Sequence, residues 1–164
     1  MYRPSIGPLV IAVTTVFLPT LAQASSEMPH CGAFEVTREK PSIVIIDNYA
    51  EGLSVGDRRI GSYDLIGADG SKVGQLLFES SVAAETDGGH RMIGKAHVVF
   101  DDGIIHYPVT YELADASKPQ APPGIAAFDY HVTGGVGAYE GATGIARHLT
   151  LDDGTRVFRY ELAC

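Results

Sequence analysis

Polar turns built on Asp-Gly pairs recur along the chain, separating stretches in which apolar residues alternate with period two. The turns are Gly-Ala-Asp-Gly at 67–70, Asp-Gly-Gly at 87–89, Asp-Asp-Gly at 101–103 and Asp-Asp-Gly at 152–154. Pairs of this kind suit hairpins, where residues of positive φ match the twist of the strands they join. Strands are predicted near 33–38, 42–50, 60–67, 73–85, 91–100, 104–113, 126–133, 144–151 and 156–163. Pro119, Pro122 and Pro123 mark one longer loop at 114–124. Past residue 24 no ten-residue window carries a helical stripe. Consecutive hairpin-linked strands in a chain of this size make an all-β up-and-down barrel or a sandwich.

Residues 1–24 have the layout of a secretory signal peptide. Arg3 supplies the positive start, residues 6–21 carry no charge, and Ala22-Gln23-Ala24 offers the small-x-small cleavage pattern before Ser25. The competing reading is a membrane anchor, but the run falls short of the ~20 residues a spanning helix needs, and Pro8 and Pro19 interrupt it. The expectation is a cleaved segment 1–24 and a single domain at 25–164, secreted or periplasmic, with no membrane partner in the mature form. Removing Arg3 leaves 11 basic side chains against 20 acidic, a net charge of −9, scattered without a basic patch. A nucleic-acid partner is therefore not expected, because phosphate binding needs such a patch.

The only two cysteines, Cys31 and Cys164, lie near the two ends of the mature chain. In an exported protein an isolated pair reads as a disulfide. The alternative is a reactive or metal-binding thiol pair; there is no Cys-x-x-Cys and no histidine cluster, although His30 adjoins Cys31.

Alternation also assigns faces. Ile105, Tyr107, Val109, Tyr111 and Leu113 share one face of their strand, Phe128, Tyr130 and Val132 another, and Phe158, Tyr160 and Leu162 a third. These sets predict an interior rich in tyrosine. Tyr49, Tyr107, Tyr111, Phe128, Tyr130 and Tyr160 are the candidate contacts for an apolar or phenolic ligand. The same residues would equally make an ordinary filled core.

Two ionisable residues interrupt apolar faces: Asp47 beside Ile43, Ile45 and Tyr49, and Arg147 beside Ile145, Leu149 and Leu151. A buried charge needs a partner, and each is a candidate partner for the other. One reading is a structural ion pair or positions at strand ends. The other is a catalytic or anion-holding pair pointing into a lumen. Asp129 and His131 fall on a polar, outward face. His90, His97, His106 and His148 show no ligand spacing, so no metal site is expected.

The run from Thr133 to Gly144 holds glycine at 134, 135, 137, 141 and 144. It is not a phosphate loop: no Lys-Ser or Lys-Thr follows, Glu140 stands at the third glycine of a dinucleotide pattern, and a strand follows rather than a helix. It fits a tight reversal between adjacent strands.

This run resembles the Gly-Gly-x-Gly-x-aromatic-x-Gly-Ala-x-Gly element of the allene oxide cyclase and dirigent superfamily. A second block is similar to the upstream family pattern: Gly56-Asp57, the strand through Leu65, Asp69-Gly70 and Val73-Gly74. The resemblance runs from about residue 42 to the C-terminus. It implies an eight-stranded antiparallel barrel with an apolar lumen, often a homotrimer, that directs cyclisation or isomerisation of a reactive small molecule without a cofactor. It also implies a role for Asp47, which resembles the dirigent acid, although Ile46 replaces the histidine usual before it. Thr143 stands where dirigent proteins carry arginine, with Arg147 four residues on. A lipid-like ligand carrier and a filled structural barrel are the rival readings.

Overall fold

The computed structural model describes residues 31–39, 41–48, 51–114 and 128–164. Ten antiparallel strands make one sheet: β1 Gly32–Arg38, β2 Ser42–Ile46, β3 Arg58–Ile66, β4 Lys72–Thr86, β5 Gly89–Phe100, β6 Gly103–Ala114, β7 Phe128–Val132, β8 Gly134–Gly137, β9 Thr143–Thr150 and β10 Arg156–Ala163. No helix occurs among the described residues, so none is long and apolar enough to cross a membrane.

The ten strands act as eight staves. β1 and β2 lie end to end against β3, with Arg38 opposite Leu65 and Ser42 opposite Ser62. β7 and β8 likewise form one bent run. β7 pairs with β9, and β8 pairs with β6 from Gly103↔Gly137 to His106↔Gly134. The order β7-β9-β10-β1-β3-β4-β5-β6-β8 therefore returns to its own start, which closes an up-and-down barrel and disposes of sheet edges along most of its length.

Closure corrects one expectation. Half of the glycine-rich run is a strand, and only 138–142 is a reversal. Glycine is needed there because the backbones nearly touch. A Cβ at Gly135 would strike the Tyr139 and Ile104 carbonyls, and one at Gly103 would strike the Val136 carbonyl. In the hairpins, aspartate side chains supply the missing acceptors. Asp69 takes the Ser71 N–H at 2.9 Å, and Asp153 takes the Thr155 N–H at 2.8 Å.

Strand alternation sends Phe34, Val36, Leu65, Leu76, Ala96, Val98, Phe100, Ile105, Tyr107, Val109, Tyr130, Phe158, Tyr160 and Leu162 into one buried core. At Asp57 a different rule applies. Its fully buried carboxylate accepts the Asn48 N–H at 2.8 Å, the Ser54 N–H at 2.7 Å and the Ser54 hydroxyl at 3.0 Å, and so ties Asn48 and Ser54 together. Those bonds hold the Asp57 carboxyl below the usual carboxylate range. They also end β2 at Ile46, four residues earlier than expected, because the Asn48 N–H leaves the ladder for Asp57.

Candidate functional site

The lumen has a filled end and an open end. Toward the filled end, Tyr107 and Tyr160 are fully buried and Tyr139 seals the floor against Phe100, with ring centroids 5.5 Å apart. Burial pushes the Tyr139 phenol up to about 12, and it raises Tyr107, Tyr130 and Tyr160 as well. These phenols therefore stay protonated.

Above them lies an aromatic layer. Tyr130 stacks on Tyr107 at 5.7 Å and meets the His148 ring edge-on at 4.8 Å, and His148 packs on Phe158 at 4.1 Å. The Tyr107 hydroxyl and His148 Nε2 are hydrogen-bonded at 3.1 Å. Burial lowers the His148 pKa to about 3, helped by the nearby Arg38 charge, so the imidazole is neutral in the folded protein. The unfolded chain, by contrast, takes up that proton near pH 6.5. The native state should therefore lose up to about 2 kcal/mol as pH falls from 7 to 5. His148→Gln should flatten the slope in urea titrations across that window. The depressed carboxylates Asp57 and Asp129 withdraw their stability only at lower pH.

The open end is framed by half-buried side chains: Arg38 from β1, Arg59 and Tyr63 from β3, Phe78 from β4, Tyr111 from β6 and Phe128 from β7. The Arg38 guanidinium lies 4.2 Å over the Tyr63 ring and 5.6 Å from that of Phe158. Arg59 Nη1 donates to the Tyr111 hydroxyl at 3.1 Å, which in turn bonds the buried Ser80 hydroxyl at 2.9 Å. Beside Arg38 an open cleft of about 400 Å³ is lined by Arg38, Glu39, Pro41, Gly154, Thr155 and Arg156.

The structure brings together Tyr107, Tyr111, Phe128, Tyr130 and Tyr160 on the inner face, where alternation placed them. Tyr49 lies outside the described residues. The Asp47–Arg147 pair needs correction. Asp47 is exposed beyond the end of β2. Arg147 points outward, where Nε and Nη2 grip the two carboxylate oxygens of Asp129 at 2.6 and 3.0 Å, with Glu161 at 3.8 Å. The apolar run Ile145, Leu149 and Leu151 suggested the opposite phase. The true inner face of β9 carries Gly144, Ala146 and His148, because Ala146 lies between the two register partners Tyr130 and Tyr160, whose rings fill that level.

Arg38, Arg59, Tyr63 and His148 were absent from the expected set. Arg38 alternates with Phe34 and Val36, a signal that was present in the sequence. Arg59 alternates with Tyr63 and Leu65, but the expected strand began at 60, two residues after β3 starts.

No family model matches the chain, and no curated protein is significantly similar to it. Solved structures do match in fold. A pyocyanin demethylase superposes with a TM-score of 0.61 at 20% identity, covering 80% of this chain and 99% of that one. The Diels–Alderase AbmU from Streptomyces koyangensis gives 0.58 at 12% identity, over 80% of this chain and 63% of that one. The exo-specific intermolecular Diels–Alderase AbnU gives 0.51 at 19% identity, over 79% and 97%. The fold is that of small antiparallel barrels which include cyclases.

Proposed function

We propose that the barrel binds a small apolar or phenolic molecule at its open end and directs its stereoselective cyclisation or isomerisation, in the manner of the allene oxide cyclase and dirigent proteins it resembles. One observation carries the reading. Aromatic walls (Tyr63, Phe78, Phe128, Tyr130) surround polar groups that are almost all donors: protonated phenols and the guanidiniums of Arg38 and Arg59. Walls of this kind hold a flexible substrate in one folded shape. The donors polarise a carbonyl or stabilise an oxyanion developing on it. Neither step needs a proton-accepting side chain, and neutral His148 is too weak a base to supply one.

Export is part of the same reading. It rests on the layout of residues 1–24, and a disulfide between Cys31 and Cys164 suits an oxidising compartment. Assembly as a homotrimer belongs to the family resemblance. A filled structural barrel is the second reading, favoured by the close packing of Tyr107, Tyr139 and Tyr160 at the floor.

Calorimetric titration with 2-naphthol, a neutral planar phenol, separates the two. The ligand reading expects binding of one molecule per chain. Phe128→Asp, which places a charge on the aromatic wall, should weaken that binding at least about tenfold, while Arg147→Gln on the outer surface leaves it unchanged. No heat of binding with folded protein would leave the filled barrel.

A further inference from the structure

Four of the arginines on the outer surface are neutralised. Arg58 is paired with Glu79 at 3.0 Å, Arg91 with Glu112 at 2.8 Å, Arg147 with Asp129 at 2.6 Å and Arg159 with Glu35 at 2.8 Å. The two that face the lumen differ. Among the described residues neither Arg38 nor Arg59 has a carboxylate within ion-pair distance, and the Nε of each is buried without a hydrogen-bond partner. Arg38 also feels the like charge of Arg156 across the cleft. In a chain with a formal charge of −8, carboxylates are abundant, yet even Glu39, which lines the cleft beside Arg38, makes no ion pair with it. Half-buried cations left unpaired cost stability, and such a cost persists where a ligand offsets it.

Their placement is also convergent. Tyr130 lies close enough to Tyr63 and Tyr111 for both to raise its phenol pKa. Tyr63 lies beneath the Arg38 guanidinium, and Tyr111 accepts a hydrogen bond from Arg59. The two cations stand on neighbouring staves, β1 and β3, each against a lumen tyrosine. A guanidinium matches a carboxylate with two parallel N–H donors, and a stacked aromatic below it fixes the plane of that fork.

The geometry points to Arg38 and Arg59 as an anion-holding pair, and to a planar conjugated carboxylate as the class of ligand. The carboxylate lies between the guanidiniums, and its flat body packs against Tyr63, Phe78, Phe128 and Tyr130. This rests on the ligand-binding reading above and adds the charge of the ligand to it.

The test compares 2-naphthoate with 2-naphthol by calorimetric titration of the full mature protein at neutral pH, a pair that shares a ring system and differs in charge. Naphthoate should bind about 10- to 100-fold more tightly, the range expected of charge-assisted hydrogen bonds to an anion. Its affinity should fall with added salt, and naphthol binding should not. Arg38→Gln and Arg59→Gln should each weaken naphthoate at least about tenfold more than they weaken naphthol. Arg38→Lys should recover part of the loss, because it keeps the charge without the fork. A purely structural role predicts a lower melting temperature in the Gln variants, whereas the proposal expects it unchanged or raised. Equal affinity for the two probes, or equal loss of both in the Gln variants, overturns the anion site while ligand binding stands. Failure of both probes to bind the folded protein overturns the ligand reading itself. If Arg38→Gln does not fold, Arg59→Gln and Arg38→Lys still decide between these outcomes.

Discussion

Reduction of the Cys31–Cys164 disulfide should lower the melting temperature by on the order of 10 °C while leaving the barrel folded at room temperature. The two Cα atoms are 6.1 Å apart, and the residues are separated by 133 positions in the chain. Closing so long a loop removes conformations from the unfolded chain worth about 4–5 kcal/mol, with native strain subtracting from that figure. In a domain of this size each kcal/mol moves the midpoint by several degrees. The bond lies at one end of the β1–β10 ladder, whose register runs from Gly32↔Leu162 to Thr37↔Val157. That ladder survives reduction, so the expected product is a destabilised barrel rather than an open sheet.

Where the loss occurs can be read as well. Hydrogen exchange should accelerate first at Gly32–Phe34 and Tyr160–Leu162, next to the broken bond, and last along β4 and β5. The double Cys31→Ser, Cys164→Ser variant should match the reduced protein, and its unfolding should show a steeper urea dependence because the unfolded chain is more expanded. A shift of less than about 2 °C would show that the bond adds nothing to the paired strands. Free thiols in protein taken from its native compartment would remove the disulfide from the functional state altogether.

Most of the barrel was legible because its information is local. Asp-Gly turns and period-two alternation are written in neighbouring residues, and the expected strands all recur, with β2 falling furthest short of its expected span. What was not legible depends on partners distant in sequence. β2 stops at Ile46 because Asp57 captures the Asn48 N–H, a contact between two loop positions. β8 is a strand because Gly103 and Gly135 allow two backbones to meet although they lie far apart in the chain. The phase of β9 was misleading for a packing reason. Apolarity marked Ile145 and Leu149 as inward, but the lumen at that level is already occupied by Tyr130 and Tyr160 and admits only Ala146 between them. The charged part of the site was hidden in the same way. Charges that interrupt apolar faces pointed to Asp47 and Arg147, whereas the inward charges, Arg38 and Arg59, sit at strand ends where alternation is short and boundaries are least certain. The tyrosines were legible because an amphipathic ring faces inward whether the lumen is filled or open.

Gly94→Ala should destabilise the protein by about 3 kcal/mol or more, enough to deplete folded material, although it adds a single methyl group. Gly94 faces the lumen in the middle of β5, with Ser80 of β4 on one side and Val109 of β6 on the other. A Cβ built there runs into the Glu79 carbonyl oxygen, and it would also lie 2.6 Å from the Ser80 Cα. Both obstacles are backbone, so no side chain can swing aside, and relief requires β4 and β5 to part. Their ladder runs from Gly74↔Phe100 to Thr86↔Gly89, so parting it at the centre strains one of the two longest pairings in the sheet. The consequence reaches the open end, because Ser80 anchors the Tyr111 hydroxyl and Tyr111 holds Arg59. Whatever folds should therefore bind 2-naphthoate less tightly than the parent. Gly88→Ala is the matched control: a Cβ there meets nothing within 4 Å, and its backbone is not left-handed, so the change should stay within about 0.5 kcal/mol. Thermal and urea unfolding of the two variants side by side decides the point. Equal stability for Gly94→Ala and Gly88→Ala would mean that β4 and β5 can separate freely, and that close backbone approach does not set the shape of the lumen.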